Sequence, residues 1–340
     1  MSLTLRDLGW SPFFAQQLDG DAPPLRIAQV HRDRIEAISP DGTQMLTTPP
    51  ETPTGAFAVG DWILAEDHCI SHLFDRQTLL QRRAAGDEAR IQLIAANVDT
   101  LFIVTSCNAD FNPARLERYL SLAHEAGCLP VMVLTKSDLT KDPEDYAAQA
   151  QKLDRRAPVL VVDALAGDTA AQLAAWCGRG QTAALVGSSG VGKTTLANAL
   201  TGGSEATAAV REDDARGRHT TTSRALRPMV HGGWMIDTPG MRALRLTEVA
   251  EGIDAVFDDI SALEGQCRFS DSRHGPEPGC ALQAAISDGV LEQSRFDRWQ
   301  KLRREETRHG ASLAQARSRD KAFGKMVNAV VKGKKGRARE

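Results

Sequence analysis

No apolar run in these 340 residues approaches the roughly 18 needed to cross a bilayer. The opening MSLTLRDLGW also lacks the pattern of a secretion signal. Both absences lead to the expectation of a cytoplasmic protein with no membrane partner. Cysteine is sparse as well. Cys69, Cys107, Cys128, Cys177, Cys267 and Cys280 are scattered, mostly in apolar segments, which suits a reducing compartment rather than a disulfide framework. There are no internal repeats. The net charge is only −3 but unevenly spread: residues 291–340 hold 15 Lys and Arg against 6 Asp and Glu, so this end carries +9 and the remainder −12. The tail VKGKKGRARE has nothing to bury. It reads either as a frayed, solvated terminus or as a phosphate-seeking arm for nucleic acid.

What is present divides the chain into three. Residues 1–90 carry short alternating stretches, LRIAQVHRDRIEAISP and GAFAVGDWILAED, separated by DGT and TPPETPTG. This pattern predicts a small β-barrel, OB-like or SH3-like. Residues 91–247 alternate strand and helix signals: TLFIVTSC at 100–107, a helix over 113–127 with Leu116, Tyr119, Leu120 and Ala123 on one face, LPVMVLT at 129–135, a helix over 144–156, APVLVVDA at 157–164 and TAALVG at 182–187. Such β-α units imply a parallel sheet covered by helices. Residues 248–340 turn polar and helical, interrupted by a Cys/His/Gly/Pro-rich knot at 267–280 and ending in the basic tail.

Chemistry enters at Gly187-Ser188-Ser189-Gly190-Val191-Gly192-Lys193-Thr194-Thr195, a full G-x-x-x-x-G-K-[ST] match between a strand and a helix. Glycines there let backbone N–H groups turn toward phosphate oxygens at a helix N-terminus. Lys193 is expected to bridge the β- and γ-phosphates, and Thr194 to offer its hydroxyl to Mg²⁺. About fifty residues on, HGGWMIDTPG puts Asp237 at a strand end, followed by Pro239-Gly240. Asp237 can hold Mg²⁺ through water, while the Gly240 N–H can reach the γ-phosphate and report its loss. Between them, ARGRHTTTSRAL suits a loop whose threonine closes over the metal; Thr221, in the middle of three, is the candidate.

A nucleoside site also needs a base reader, and none follows: residues 241–340 contain no [NT]-K-x-D. The tetrapeptide Thr135-Lys136-Ser137-Asp138 occurs instead upstream, directly after the strand LPVMVL. Ligand loops leave the carboxyl ends of strands in doubly wound sheets, so this one is on the correct edge. Asp138 can accept two guanine N–H groups while the Lys136 stem packs over the ring, which favours GTP over ATP. In VVDALAGD, Asp163-Ala164 stands where GTPases usually carry Ser-Ala; the Ala164 N–H can still meet guanine O6. The order base, base, phosphate, switch, switch is a cyclic rearrangement that leaves strand edges in place. Its last loop feeds almost directly into the C-terminal segment, so hydrolysis is placed to reposition it.

With AANVD at 95–99, GSSGVGKTT, GRHTTT and DTPGM in this order, the chain resembles the bacterial RsgA family of ribosome small-subunit-dependent GTPases over nearly its whole length. The resemblance implies an N-terminal OB fold, a circularly permuted GTPase domain and a C-terminal zinc-binding domain. It further implies a late-acting monomeric assembly factor that binds the 30S subunit and its 16S rRNA, hydrolyses GTP under the subunit's stimulation and leaves with GDP. A permuted GTPase of the large subunit and a non-catalytic RNA-binding module with structural nucleotide are the alternatives.

Two expected residues are missing. Met241 follows DTPG where Ras-like GTPases have a glutamine that orients the attacking water, so His219 or a group from rRNA is the candidate for that role. In CRFSDSRHGPEPGC, Cys267, His274 and Cys280 fit the zinc ligands of the family pattern, but Ser272 stands where it has a second cysteine. Three outcomes are open: a three-ligand Zn²⁺ site completed by water, recruitment of another ligand, or folding without metal.

Overall fold

The computed structural model describes residues 3–83, 91–203, 224–236, 249–269, 272, 274, 275 and 277–308. A short helix α1 (Pro12–Ala15) precedes five antiparallel strands: β1 (Leu25–Val30), β2 (Ile35–Ser39), β3 (Gly42–Leu46), β4 (Trp62–Glu66) and β5 (Cys69–Leu73). Their order is β3-β2-β1-β4-β5. The two outer strands meet: Thr47, just past β3, bridges Cys69 of β5 in parallel, its N–H donating to His68 O at 2.9 Å and its carbonyl accepting from Ile70 N at 3.0 Å. The alternation expected of a half-buried sheet is visible in β2, where Ile35 and Ala37 point inward with Leu25, Ile27, Leu46, Ile63 and Ile70. A separate hairpin of β6 (Leu79–Arg83) and β7 (Ile91–Ala96) pairs across residue 90.

The central sheet has six strands in the order β10-β9-β8-β11-β13-β12, all parallel except β12. These are β8 (Thr100–Ser106), β9 (Leu129–Thr135), β10 (Val159–Val161), β11 (Thr182–Gly187), β12 (Leu226–Pro228) and β13 (Trp234–Ile236). Every residue of β8 and β11 is buried, as befits central strands covered on both faces. Helices α2 (Pro113–Glu125), α3 (Pro143–Leu153), α4 (Thr169–Leu173) and α5 (Lys193–Thr201) connect them. C-terminal helices α6 (Ala250–Val256), α7 (Asp258–Glu264), α8 (Ala281–Ser287) and α9 (293–308) follow. Among the described residues no helix is long and apolar enough to cross a membrane.

Two seams hold the outer parts to the central sheet. At the first, Arg26 of β1 is 1 % exposed. Its guanidinium donates to the carbonyls of Leu8, Gly60 (3.4 Å) and Asn97 (3.2 Å) and to Thr182 Oγ1 (2.8 Å). Burial brings its pKa down to about 10 despite Asp99 and Asp61 nearby. Trp234 Nε1 adds a 2.7 Å bond to the Asp7 carbonyl, and Arg179 pairs with the Asp7 carboxylate. Thr182 opens β11 and Trp234 opens β13, so the N-terminal segment grips the strands that lead to the phosphate loop and to Asp237.

At the second seam, α6 lies on α2. A Cβ on Gly252 would sit 2.0 Å from Ser121 O, so only glycine permits this approach, and the Gly252 N–H donates to Glu125 Oε2 at 2.9 Å. Next to it Glu117, fully buried, accepts from Arg298 Nε at 2.7 Å and from Arg295 Nη1 at 3.4 Å. Arg295 also forks onto Asp259 at 2.9 Å and lies over the Phe257 ring at 4.8 Å. Arg118 pairs with Glu305.

Candidate functional site

The phosphate loop leaves β11 at Gly187, whose φ of +148° and carbonyl-crowded surroundings exclude a side chain: a Cβ there would lie 2.2 Å from Val104 O. The loop turns through Gly190 and Gly192, both with positive φ, into α5, which starts at Lys193 with no side-chain cap. A helix start of this kind favours an anion, with the helix dipole behind it. Lys193 Nζ folds back on its own loop, donating to the carbonyls of Gly187 (2.8 Å) and Ser188. Thr194 and Thr195 open the same helix.

The base loop is adjacent, although it precedes the phosphate loop by about fifty residues. Thr135, the last residue of β9, is fully buried. Its hydroxyl lies 2.6 Å from the Val191 carbonyl and 3.0 Å from that of Thr105. The first residue of the TKSD loop is thus fastened to the middle of the phosphate loop. Lys136 then takes a left-handed conformation (φ 59°), and Ser137–Leu139 forms a 3-10 turn with Asp138 exposed. The loop carrying Ala164 leaves the neighbouring strand: β10 runs parallel to β9, with Val161 opposite Leu134, and Val162 N donates to Leu134 O at 2.8 Å. Asp163, the departure from serine, binds its own loop through a 2.9 Å bond from Leu165 N to Oδ1, and its carbonyl accepts from Thr169 Oγ1 at 2.7 Å. Thr135, Lys136, Ser137, Asp138, Ala164 and the whole of 187–195 therefore gather at the carboxyl edge of one sheet. Thr221, His219, Asp237, Gly240 and Met241 lie outside the described residues; β13 is described as far as Ile236.

One cation at this edge was not legible in the sequence. Arg115, in the first turn of α2, donates to Ser188 Oγ of the phosphate loop, while its backbone N–H is held by the Asn112 cap at 3.1 Å. Nothing in FNPARLERYL marks it. Only the strand order, which puts β8 beside β11, brings the start of α2 to the loop.

The knot gathers Cys267 at the end of α7, His274, and Cys280 before α8. Both sulfurs lie 3.7 Å from His274 Nδ1 and 3.9 Å from each other, and neither cysteine is in a disulfide. Zn–S bonds of about 2.3 Å and Zn–N bonds of about 2.0–2.1 Å give tetrahedral edges of roughly 3.5–3.8 Å, so the three atoms fit one ion. Glu264 Oε1 stands 3.1 Å from His274 Nε2, which leaves Nδ1 as the nitrogen that would face an ion. Burial works against a Cys280 thiolate, but hydrogen bonds from the Gln283 and Leu282 backbone, His274 and Cys267 outweigh it and set that thiol below its ordinary pKa. Ser272 Oγ lies 3.4 Å from the same Nδ1.

Comparison with known proteins agrees with this geometry. The sequence pattern of the RsgA GTPase family matches residues 73–247. The small ribosomal subunit biogenesis GTPase RsgA of Mesorhizobium japonicum is 52 % identical over 310 residues, covering 88 % of this chain and 89 % of that protein. RsgA 2 of Vibrio parahaemolyticus is 47 % identical over 339 residues, 98 % of this chain and 94 % of that one. Among solved structures, YjeQ from Thermotoga maritima superimposes with a TM-score of 0.61 at 22 % identity, over 83 % of this chain and 97 % of its own. YloQ, a circularly permuted GTPase, gives 0.59 at 23 %, over 88 % and 96 %. These two likenesses establish the fold, and the sequence relatives the lineage. A base loop that comes first in the chain yet touches the phosphate loop in space is accounted for: this protein belongs to the RsgA GTPase family.

Proposed function

We propose that this GTPase is a late assembly factor of the small ribosomal subunit, as the names of its relatives state for them. It binds 30S particles through 16S rRNA as a cytoplasmic monomer, hydrolyses GTP under their stimulation, and departs with GDP. The observation that supports the nucleotide reading is the Thr135–Val191 contact, which fastens the start of the TKSD loop to the middle of the phosphate loop. Asp138 accepts the guanine N–H pair, Lys136 covers the ring and the Ala164 N–H meets O6. The N–H groups of 187–195 hold the α- and β-phosphates. Lys193 exchanges its carbonyl partners for the β- and γ-oxygens when nucleotide enters. Thr194, Thr221 and, through water, Asp237 would hold Mg²⁺, which would supply neutralisation of the charge on the γ-phosphoryl oxygens. Gly240 senses that phosphate, and His219 or an rRNA group positions the attacking water.

The three units are 1–90, 91–247 and 248–340. The first is read as an OB-type barrel, supported by the 3-2-1-4-5 order and the Thr47–Cys69 bridge between its outer strands. In the third, Cys267, His274 and Cys280 hold Zn²⁺, supported by their mutual distances.

GTP hydrolysis measured with and without 30S subunits, with 50S subunits and ATP as controls, tests this reading. Stimulation by 30S alone, with GTP alone, is expected, and Lys193→Ala should lose nucleotide binding. Absence of 30S stimulation, or equal use of ATP, would overturn it.

A further inference from the structure

We propose that Ser272 and Glu277 together complete the zinc site: Ser272 Oγ is the fourth ligand, and Glu277 supplies the negative charge a cysteine there would bring. The inference rests on the reading of Cys267, His274 and Cys280 as zinc ligands, and it selects among the ways a missing thiolate can be replaced.

The hydrogen bonds of Ser272 carry the argument. A serine hydroxyl has one proton to give and two lone pairs to offer. The proton is committed to Glu277, which accepts from Ser272 Oγ at 2.8 Å. One lone pair is committed to the His274 backbone N–H at 3.0 Å. One lone pair remains. The oxygen stands 3.4 Å from His274 Nδ1. Tetrahedral Zn–O and Zn–N bonds of about 2.0–2.1 Å predict an O···N edge of roughly 3.3 Å. Ser272 therefore lies at the spacing of a fourth vertex from the nitrogen ligand, with its remaining bonding capacity unspent.

Charge points the same way. Two thiolates and a neutral imidazole leave a Zn²⁺ site neutral, where three thiolates would leave it at −1. Glu277 brings a carboxylate to within one hydrogen bond of that vertex, as Glu264 does at His274. A hydroxyl oxygen is nevertheless a poorer partner for zinc than sulfur. Ser272 and His274 also line an open cavity with Trp299 and Arg303, so chelators can reach the fourth vertex. The metal is expected to be held, but more exchangeably than by three cysteines.

The test uses the full chain purified without added metal, its zinc content measured, and apo protein titrated with Co²⁺ and Zn²⁺ against a chromophoric chelator. Wild type should carry one zinc. Ser272→Ala and Glu277→Ala should each weaken binding about tenfold to a hundredfold. Ser272→Cys should tighten it by about tenfold or more and add thiolate-to-cobalt charge-transfer absorbance. If wild type binds metal and both alanine variants bind it equally tightly, water or another group fills the vertex and the proposal fails. Should the alanine variants not fold, Ser272→Cys decides: a cobalt spectrum identical to wild type places residue 272 away from the metal. Wild type that neither carries zinc nor takes up Co²⁺ sinks the metal reading itself, a result distinct from the loss of Ser272 alone.

Discussion

The two seams solve the same packing problem with opposite chemistry. At the N-terminal seam a single cation is buried among neutral acceptors: three carbonyls and a hydroxyl contributed by the N-terminal segment, β4's approach, the turn before β8, and β11. At the C-terminal seam a buried carboxylate on α2 receives two arginines from α9 that remain partly exposed. The first is knit by one side chain to four places far apart in sequence, and no carboxylate takes any of those hydrogen bonds. The second is an ion-pair cluster that joins α2, α7 and α9, reinforced by a glycine contact between α6 and α2. The difference implies that the N-terminal sheet and the central sheet respond as one body, whereas the C-terminal helices can part from α2 without disturbing the strands behind the nucleotide loop.

Removing Arg26 should therefore have the largest effect. Arg26→Ala strands the acceptors on Leu8, Gly60, Asn97 and Thr182 in a dry seam and leaves a cavity, at a cost of about 3–5 kcal/mol. Arg26→Lys should recover little, because an ammonium cannot span the guanidinium's fork. Chemical denaturation is the measurement, and the N-terminal and central sheets should lose stability together. A variant in which the N-terminal sheet alone loosens would break the contrast between the seams.

Gly252→Ala comes next. On helix propensity alone this change should stabilise α6 by about 0.5–1 kcal/mol. The added Cβ would meet a backbone oxygen that cannot rotate away, so the sign should reverse to a loss of about 1–3 kcal/mol. Hydrogen exchange should rise in 249–308 while β8 and β11 keep their protection. A stabilised protein would show that α6 is not pressed on α2 as described.

These seams were the part of the molecule least legible in the sequence. The phosphate loop, the TKSD loop and the strands 129–135 and 182–187 could be read directly, because local rules govern them: glycines where φ is positive, apolar runs where a strand is buried on both faces. Asp163 looked like a weak copy of a serine; in the structure its carboxylate serves its own turn. Arg26, by contrast, sits in LRIAQV as a polar residue in an alternating strand and gives no sign of being fully buried, since its partners lie up to 156 residues away. Glu117 and Arg115 are likewise ordinary helix residues until the strand order is known. Pairings at long range leave no local pattern, and for that reason the attachment of the N-terminal sheet and the C-terminal helices to the central sheet had to be seen.

Glu117→Gln should cost about 1–2 kcal/mol, less than either change above, because the arginines it leaves behind can turn toward solvent and Arg295 keeps Asp259. A double-mutant cycle of Glu117→Gln with Arg298→Ala should return a coupling near 1 kcal/mol that shrinks in high salt. The Arg26 effect, resting on neutral acceptors, should be much less salt-sensitive. Equal salt dependence at both seams would mean that long-range charge, not local hydrogen bonding, holds the N-terminal sheet.

The smallest effect is on pH, and it separates two carboxylates of one seam. Burial raises the pKa of Glu117 above its ordinary value of 4.5 in spite of Arg298 and Arg295. Folded protein then holds more protons than unfolded between 4.5 and the raised value, so stability falls as pH rises through that interval. Asp259 has the opposite balance. Burial works against its charge, but Arg295 outweighs it and sets the pKa below 3.8. Its contribution is complete above 3.8 and is lost as pH falls further. The C-terminal seam should accordingly be firmest between the two ordinary values, 3.8 and 4.5, and weaken on both sides, with the lower limb screened because solvent reaches Asp259. Glu117→Gln should flatten the upper limb and Asp259→Asn the lower one in stability–pH profiles. If either substitution flattened both limbs, the two carboxylates would titrate as one unit and the assignment of opposite signs would be wrong.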